Sequence, residues 1–188
     1  MSCLLQQIDF VCLGDSAQGG QQISFLAVTT YSLNDSDAIP SGMTDIADAT
    51  GYSSNGYFAV KKDGTMAHWG KTNIYIGETH STVKDAVAVA EGNGFLAVIH
   101  RDGTIDGGGE ASGRQRFRTR KYPGASRILG DPDNRLFFVL KPGNEWAALP
   151  NPTASEYLEE ERLSVLEGKL KGCTSVAVAE WVVFGVKP

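Results

Sequence analysis

Four arginines alternate along one stretch of the chain: Arg114, Arg116, Arg118 and Arg120. Successive side chains of an extended strand point to opposite faces, so an extended 113–121 segment would carry all four on one side and Phe117 on the other. A row of guanidinium forks matches phosphate and carboxylate oxygens. The stretch is therefore a candidate docking strip for an acidic protein surface or an anionic polymer. The alternative is a solvated outer strand whose like charges keep a sheet edge from pairing.

Other residue types that carry chemistry occur without the company that chemistry requires. His68, His80 and His100 are the three histidines, and no glutamate-flanked zinc motif accompanies them, so they read as strand or rim residues. Cys3, Cys12 and Cys173 are an odd, scattered set with no Cys-x-x-Cys. That argues against a disulfide framework or a structural zinc site and fits a reducing, intracellular setting. Cys12, between Val11 and Leu13, reads as a small buried hydrophobe. Gly107-Gly108-Gly109 lacks the following Lys-Ser/Thr of a phosphate loop. Asp131, Asp133 and Asn134 resemble a fragment of a calcium loop without its spaced glycine and closing glutamate. Trp69, Trp146 and Trp181 recur at strand ends, where packing is the commoner role. The expectation is no catalytic residue, no cofactor and no metal, although distant residues can converge within a fold.

The elements that position these residues are repeated. Phe58 to Gly70 reads as a β-hairpin: an apolar strand, a two-residue Asp63-Gly64 turn, and a return strand ending in Trp69-Gly70. A second copy runs from Phe95 through Asp102-Gly103 to Ile105, its turn aspartate 39 positions after Asp63. A decayed third copy runs from Phe137 through Pro142-Gly143 to Trp146. A basic residue precedes each turn: Lys62, Arg101 and Lys141. A short strand of small residues stands upstream of each hairpin: Asp45–Gly51, Asp85–Gly92 and Ser126–Gly130. The same phrase returns as Thr174–Glu180 followed by Trp181–Val186. A weaker match lies at Ile8–Gly14 and Ile23–Val28. Short strands at a period near ~40 residues are the pattern of β-propeller blades, each too thin to bury its two apolar faces alone.

The expected fold is all-β: a small or partial propeller of four to five short blades in one domain. The blades fall at 4–43 (degenerate), 44–82, 83–124 and 125–152, with a truncated closing blade at 173–188. Between the last two lies a helical insertion at 153–172. Thr153 and Glu156 have capping-box spacing, Leu158, Leu163, Leu166 and Leu170 form an apolar stripe, and Gly172 suits a C-cap. Leu4–Leu13 could add outer strands to the unfinished last blade. The alternative is an ordinary antiparallel sandwich.

Composition bounds the partners. The 188 residues include 22 glycines, as many tight turns require, and 41% are hydrophobic. The net charge of -5 argues against a dedicated nucleic-acid binder. No apolar run reaches membrane-spanning length, and the first residues lack the pattern of a secretory signal.

The phrase at Ile46–Gly70, with Phe58-Ala59-Val60, Asp63-Gly64-Thr65 and Trp69-Gly70, resembles the regulator of chromosome condensation repeat. The 85–109 copy shares Ala97-Val98 and Asp102-Gly103-Thr104 but has three glycines in place of Trp-Gly, and 126–146 matches in outline. The resemblance implies a β-propeller that binds proteins on one face. Family members typically have seven blades, more than this chain has material for. The resulting expectation is a non-enzymatic protein-interaction module. The alternative is a structural subunit of a larger assembly (a virion, an organelle complex or a homo-oligomer) whose propeller other chains complete. Nucleotide-exchange activity would need the family's specific acidic and wedge residues, which the resemblance does not place on this sequence, so that activity is not carried over.

Overall fold

Apolar runs broken by glycine turns give this chain short strands with close reversals. The computed structural model describes residues 43–52, 56–70, 83–92, 94–109, 120–131, 136–150, 160–179 and 182–188. Among these, β1 (Ile46–Tyr52), β2 (Gly56–Lys61) and β3 (Met66–Trp69) form one antiparallel sheet. A second comprises β4 (Ala86–Gly92), β5 (Phe95–His100), β6 (Thr104–Gly109) and β7 (Arg120–Lys121). The third holds β8 (Arg127–Gly130), β9 (Leu136–Lys141) and β10 (Glu145–Pro150). Helix α1 (Glu160–Leu170) follows, and β11 (Ser175–Ala179) and β12 (Val182–Val186) pair as the fourth sheet. The fold is all-β and propeller-like, with one helix among the described residues. In the first three sheets the strands lie in chain order, and the leading strands neighbour one another: β4 lies between β1 and β8, and β8 meets β11.

The middle strands read as unbroken apolar runs because the stack buries both of their faces. Along β5, Leu96 and Val98 pack with Phe58 and Val60 of the first sheet. The alternate residues Phe95, Ala97 and Ile99 pack with Phe137, Val139 and Leu149 of the third. Phe138, Trp146 and Ala148 then point the other way, into a cluster with Leu170, Cys173 and Val176. A bulge at Val87 moves Ala86 to the face opposite Ala88, and β1 carries a bulge at the equivalent place.

The hairpin loops hold three residues rather than two. Gly64 N–H donates to the Lys61 carbonyl at 2.8 Å, Lys61 N–H to the Thr65 carbonyl at 2.8 Å, and Gly64 has φ 87°. This is a turn closed by a left-handed residue, a geometry that favours glycine. The second loop, Arg101-Asp102-Gly103, repeats it, with Gly103 N–H donating to the His100 carbonyl and φ 83°. The third differs from expectation by one residue. Lys141 pairs with Glu145, so the loop is Pro142-Gly143-Asn144, and Asn144 at φ 57° takes the place of Gly64 and Gly103. Pro142 thus stands at the position of Lys62 and Arg101. Those two amides donate to the carbonyls of Asp45 and Asp85 at 2.7 and 2.8 Å. Pro142 has no N–H, and its ring instead lies over Gly124, where a Cβ would come within 2.7 Å of Pro142 Cγ.

The glycines at 64 and 103 also let each loop touch the segment that leads into the next sheet. The Gly64 carbonyl accepts from Ala86 N–H at 3.0 Å and that of Gly103 from Tyr122 N–H at 2.8 Å. A Cβ on Gly64 would lie 2.7 Å from the Lys84 carbonyl oxygen, and one on Gly103 would lie 2.7 Å from the Tyr122 carbonyl carbon. Gly143 has nothing within 4 Å of a Cβ.

Helix α1 closes the outer side of the third sheet. Leu163, Leu166 and Leu170 face the sheet, and Glu167 Oε1 accepts from Ala148 N–H of β10 at 2.9 Å. Gly172 has φ 76° and Cys173 N–H donates to the Leu170 carbonyl, a left-handed C-terminal stop at the expected residue. Thr153, Glu156 and Leu158 lie outside the described residues. No described helix is long and apolar enough to cross a membrane.

Two alanine substitutions separate the roles of the loop glycines. Gly143→Ala meets only the left-handed backbone cost of about 1–2 kcal/mol. Gly103→Ala adds overpacking against the Tyr122 backbone and should cost roughly 3 kcal/mol or more. Urea unfolding measures both, and equal losses would remove the inter-sheet contribution.

Candidate functional site

Polar side chains of the described residues gather at the loop end of the hairpins and along the seam between the first two sheets. At the loop end, the aspartate of each Asp-Gly-Thr phrase folds back on its own threonine. Asp63 Oδ1 accepts from Thr65 N–H at 2.9 Å and from Thr65 Oγ1–H at 2.7 Å. Asp102 Oδ1 accepts from Thr104 N–H at 2.9 Å, and its Oδ2 takes Lys121 Nζ at 2.7 Å. The threonine donors hold Asp63 below the ordinary carboxylate range, and Lys121 with the Thr104 amide does so for Asp102. The threonine of the phrase is thus half of a hydrogen-bonded turn. The third loop has Gly143 at the aspartate position and a Lys141–Glu145 ion pair at 3.2 Å across its base.

Beside the second loop, at the end of β5, the His100 ring is held between two carboxylates. Its Nδ1 lies 2.6 Å from Asp85 Oδ1 and its Nε2 lies 3.1 Å from Asp106 Oδ1. Burial opposes a positive charge here, but the two carboxylates outweigh it and raise His100 above the ordinary imidazole value. Both ring nitrogens are engaged, so the group serves as a cationic clamp joining the lead-in of β4, the end of β5 and β6. His68 packs on Phe58, with ring centroids 4.8 Å apart. His80 lies outside the described residues.

The seam is the other cluster. Asp48 and Thr50 of β1 face the edge amides of β4. Asp48 Oδ2 accepts from Val89 N–H at 2.9 Å, its Oδ1 accepts from Ala49 N–H at 3.0 Å, and Thr50 Oγ1 accepts from Glu91 N–H at 3.1 Å. The Glu91 carboxylate accepts from Gly94 N–H at 2.9 Å, tying the β4–β5 reversal. Burial pushes Asp48 up to about 6, against the pull of the Val89 and Ala49 amides and the charge of Arg127.

Of the arginine row, Arg120 lies on β7, exposed and paired with Ile105. Arg114, Arg116 and Arg118 lie outside the described residues, as do Cys3, Cys12, Asp133, Asn134 and Trp181. Gly107 and Gly109 lie on β6, where added side chains would strike the β5 backbone at Leu96 and the carbonyl of Gly94. Cys173 is buried, and its carbonyl accepts from Trp146 Nε1–H at 3.0 Å. Trp69 stacks on Tyr57, with ring centroids 5.4 Å apart. Among the described residues no group of three His, Cys, Asp or Glu has metal-holding geometry.

Sequence reasoning missed the His100 clamp and the Asp48 seam. The strand register makes Asp48, Ala88 and Arg127 equivalent. A carboxylate at a position that another repeat fills with alanine was the available signal. The chain matches no protein-family model and no curated protein.

Among the described residues two raised groups, Asp48 and His100, shape the pH dependence. A group whose folded pKa is raised stabilises the fold below its unfolded pKa, and that stability is lost as pH rises through the folded value. For Asp48 the window runs from 3.8 to about 6 and is worth about 3 kcal/mol. For His100 the loss begins near 6.5 and extends above it. Stability should therefore fall as pH rises from 4 through neutrality. Asp63 and Asp102 act the other way, but only in stronger acid, because their folded values lie below 3.8. Asp48→Asn should flatten the pH 4–6 part of the curve and leave the higher part. Chemical unfolding across pH measures this, and an unchanged slope in the variant would exclude Asp48 as the source.

Proposed function

We propose that the chain is a non-enzymatic interaction module that offers a basic outer edge of its second sheet to an acidic protein surface. One observation supports this reading above others. The charged and polar groups placed near one another are bound to backbone amides or to each other across strands, while β7, the outermost strand of that sheet, ends in exposed Arg120 and Lys121. Lys121 is held by Asp102, which fixes the edge against the hairpin loop. The alternating row of Arg114, Arg116 and Arg118 runs directly into this strand in sequence. Such a row gives planar, doubly donating contacts to carboxylates and makes binding sensitive to salt. The protein-binding habit implied by the repeat resemblance points the same way.

The test is fluorescence anisotropy of a labelled polyglutamate peptide against the full chain and against a variant with Arg114, Arg116, Arg118 and Arg120 all changed to Glu. The Kd should rise by about tenfold or more in the variant. Its salt dependence should shrink, and its melting temperature should stay that of the parent. Equal affinity for the two proteins, or no salt-sensitive binding by the parent, would overturn the proposal.

A further inference from the structure

The His100 clamp stands beside the basic edge of the second sheet. Thr104 and Asp106 share one alternation of β6, and Lys121 of β7 pairs with Thr104. Asp106 is therefore the diagonal neighbour of Lys121 across the ladder, roughly 7–8 Å away. Arg120 pairs with Ile105, one residue from Asp106. Lys84 and Arg101, both exposed, adjoin Asp85 and His100 in the chain, and the Arg101 amide donates to the Asp85 carbonyl at 2.8 Å. Lys84, Arg101, Arg120 and Lys121 thus lie around the clamp.

The charge of the clamp depends on one proton. The His100 side chain is 15% exposed, whereas those of Asp85 and Asp106 are 56% and 47% exposed, so both carboxylates act on the solvent side. An imidazolium donates from both nitrogens and holds both carboxylates, whereas a neutral ring has one N–H. The 2.6 Å contact of Nδ1 with Asp85 keeps that proton, and Nε2 then turns a lone pair toward Asp106 Oδ1 at 3.1 Å. Two acceptors so placed repel. The carboxylate that loses its partner is therefore the one on β6, next to Lys121. Burial favours loss of the proton, but the bonds to Asp85 and Asp106 outweigh it and move the loss above the ordinary imidazole value.

The other titratable groups of the surrounding elements are engaged elsewhere. Asp48 of β1 is on the Val89 amide, Glu91 of β4 is on the Gly94 amide, and His68 of β3 packs on Phe58. In the loops, Asp63 is held by Thr65 and Asp102 by Lys121. Along the seam the first sheet brings apolar Val60 and Met66 against Ala86 and Val98.

We propose, on the acidic-partner reading above, that His100 is a pH switch for the basic edge. Protonated, it offsets one carboxylate charge and holds both groups, which leaves the edge open to an acidic protein. Neutral, it frees Asp106 beside Lys121, and the added negative charge weakens binding.

Anisotropy of the labelled polyglutamate peptide against the full chain, from about pH 6 to about pH 9, tests this; the peptide stays ionised over that range. The parent Kd should rise about threefold or more across it. His100→Gln should bind with the high-pH affinity of the parent throughout. Asp106→Asn should bind more tightly than the parent at the upper end. A parent Kd that is flat over the range would overturn the switch, and so would a pH dependence that persists in His100→Gln, where His68, His80 and Asp48 remain. Both results leave the acidic-partner reading standing. Absence of polyglutamate binding by the parent at every pH would overturn that reading and the switch with it. The His100 ring signals in NMR spectra of the parent give a readout independent of peptide and variant. They should titrate above 6.5, and titration at or below that value would overturn the switch.

Discussion

A small antiparallel sheet has two apolar faces and two edges of unpaired amides and carbonyls, and no single sheet of this chain can satisfy both by itself. Stacking solves the faces. The alternation of β5 toward Phe58 on one side and Phe137 on the other shows how one six-residue strand holds two seams together. The edges are met by side chains borrowed from neighbours. Asp48 and Thr50 of the first sheet accept from β4, and Glu167 of the helix accepts from β10. The helical insertion is thus an edge cover for the third sheet, held by its leucines and by one carboxylate.

The three seams along the leading strands do the same work with different chemistry. Between β1 and β4 the contact is polar, through Asp48 and Thr50. Between β4 and β8 the register equivalents of those residues are Ala88 and Ala90, and Gly130 brings its backbone directly against the Glu91 carbonyl. Beyond β8 the equivalents are Arg127 and Leu129, and Leu129 joins the apolar cluster with Val176 and Val178. Repetition fixes the backbone path, and the side chains at matching positions are free to vary as long as each seam is filled and each amide finds an acceptor.

The parts of this fold legible in sequence were those encoded locally. Asp63-Gly64-Thr65 and Asp102-Gly103-Thr104 announce their hairpins because the turn, its glycine and its aspartate cap lie within three residues. The stripe of Leu163, Leu166 and Leu170 announces the helix face. The third loop was placed one residue early, because Pro142-Gly143 is itself a turn pair and hid the fact that Asn144 takes the left-handed position. The polar clusters were illegible for a related reason. Asp85 and Asp106 flank His100 only after β4, β5 and β6 have paired, and Asp48 meets Val89 from 41 positions away. Nothing local in any of these three aspartates distinguishes it from a solvated one.

The polar seam also shows why its chemistry is not repeated. A buried amide without an acceptor costs about 1–3 kcal/mol, so satisfying Val89 and Glu91 is worth a few kcal/mol to the seam. Asp48 gives back a comparable amount at neutral pH, because its carboxylate must ionise in a site whose burial holds its pKa near 6. Arg127, the register equivalent of Asp48 on β8, offsets part of that cost through its charge. The seam between the first two sheets is therefore close to balance, and its balance moves with pH through Asp48. Adhesion of the first sheet to the stack accordingly weakens as pH rises through the Asp48 window.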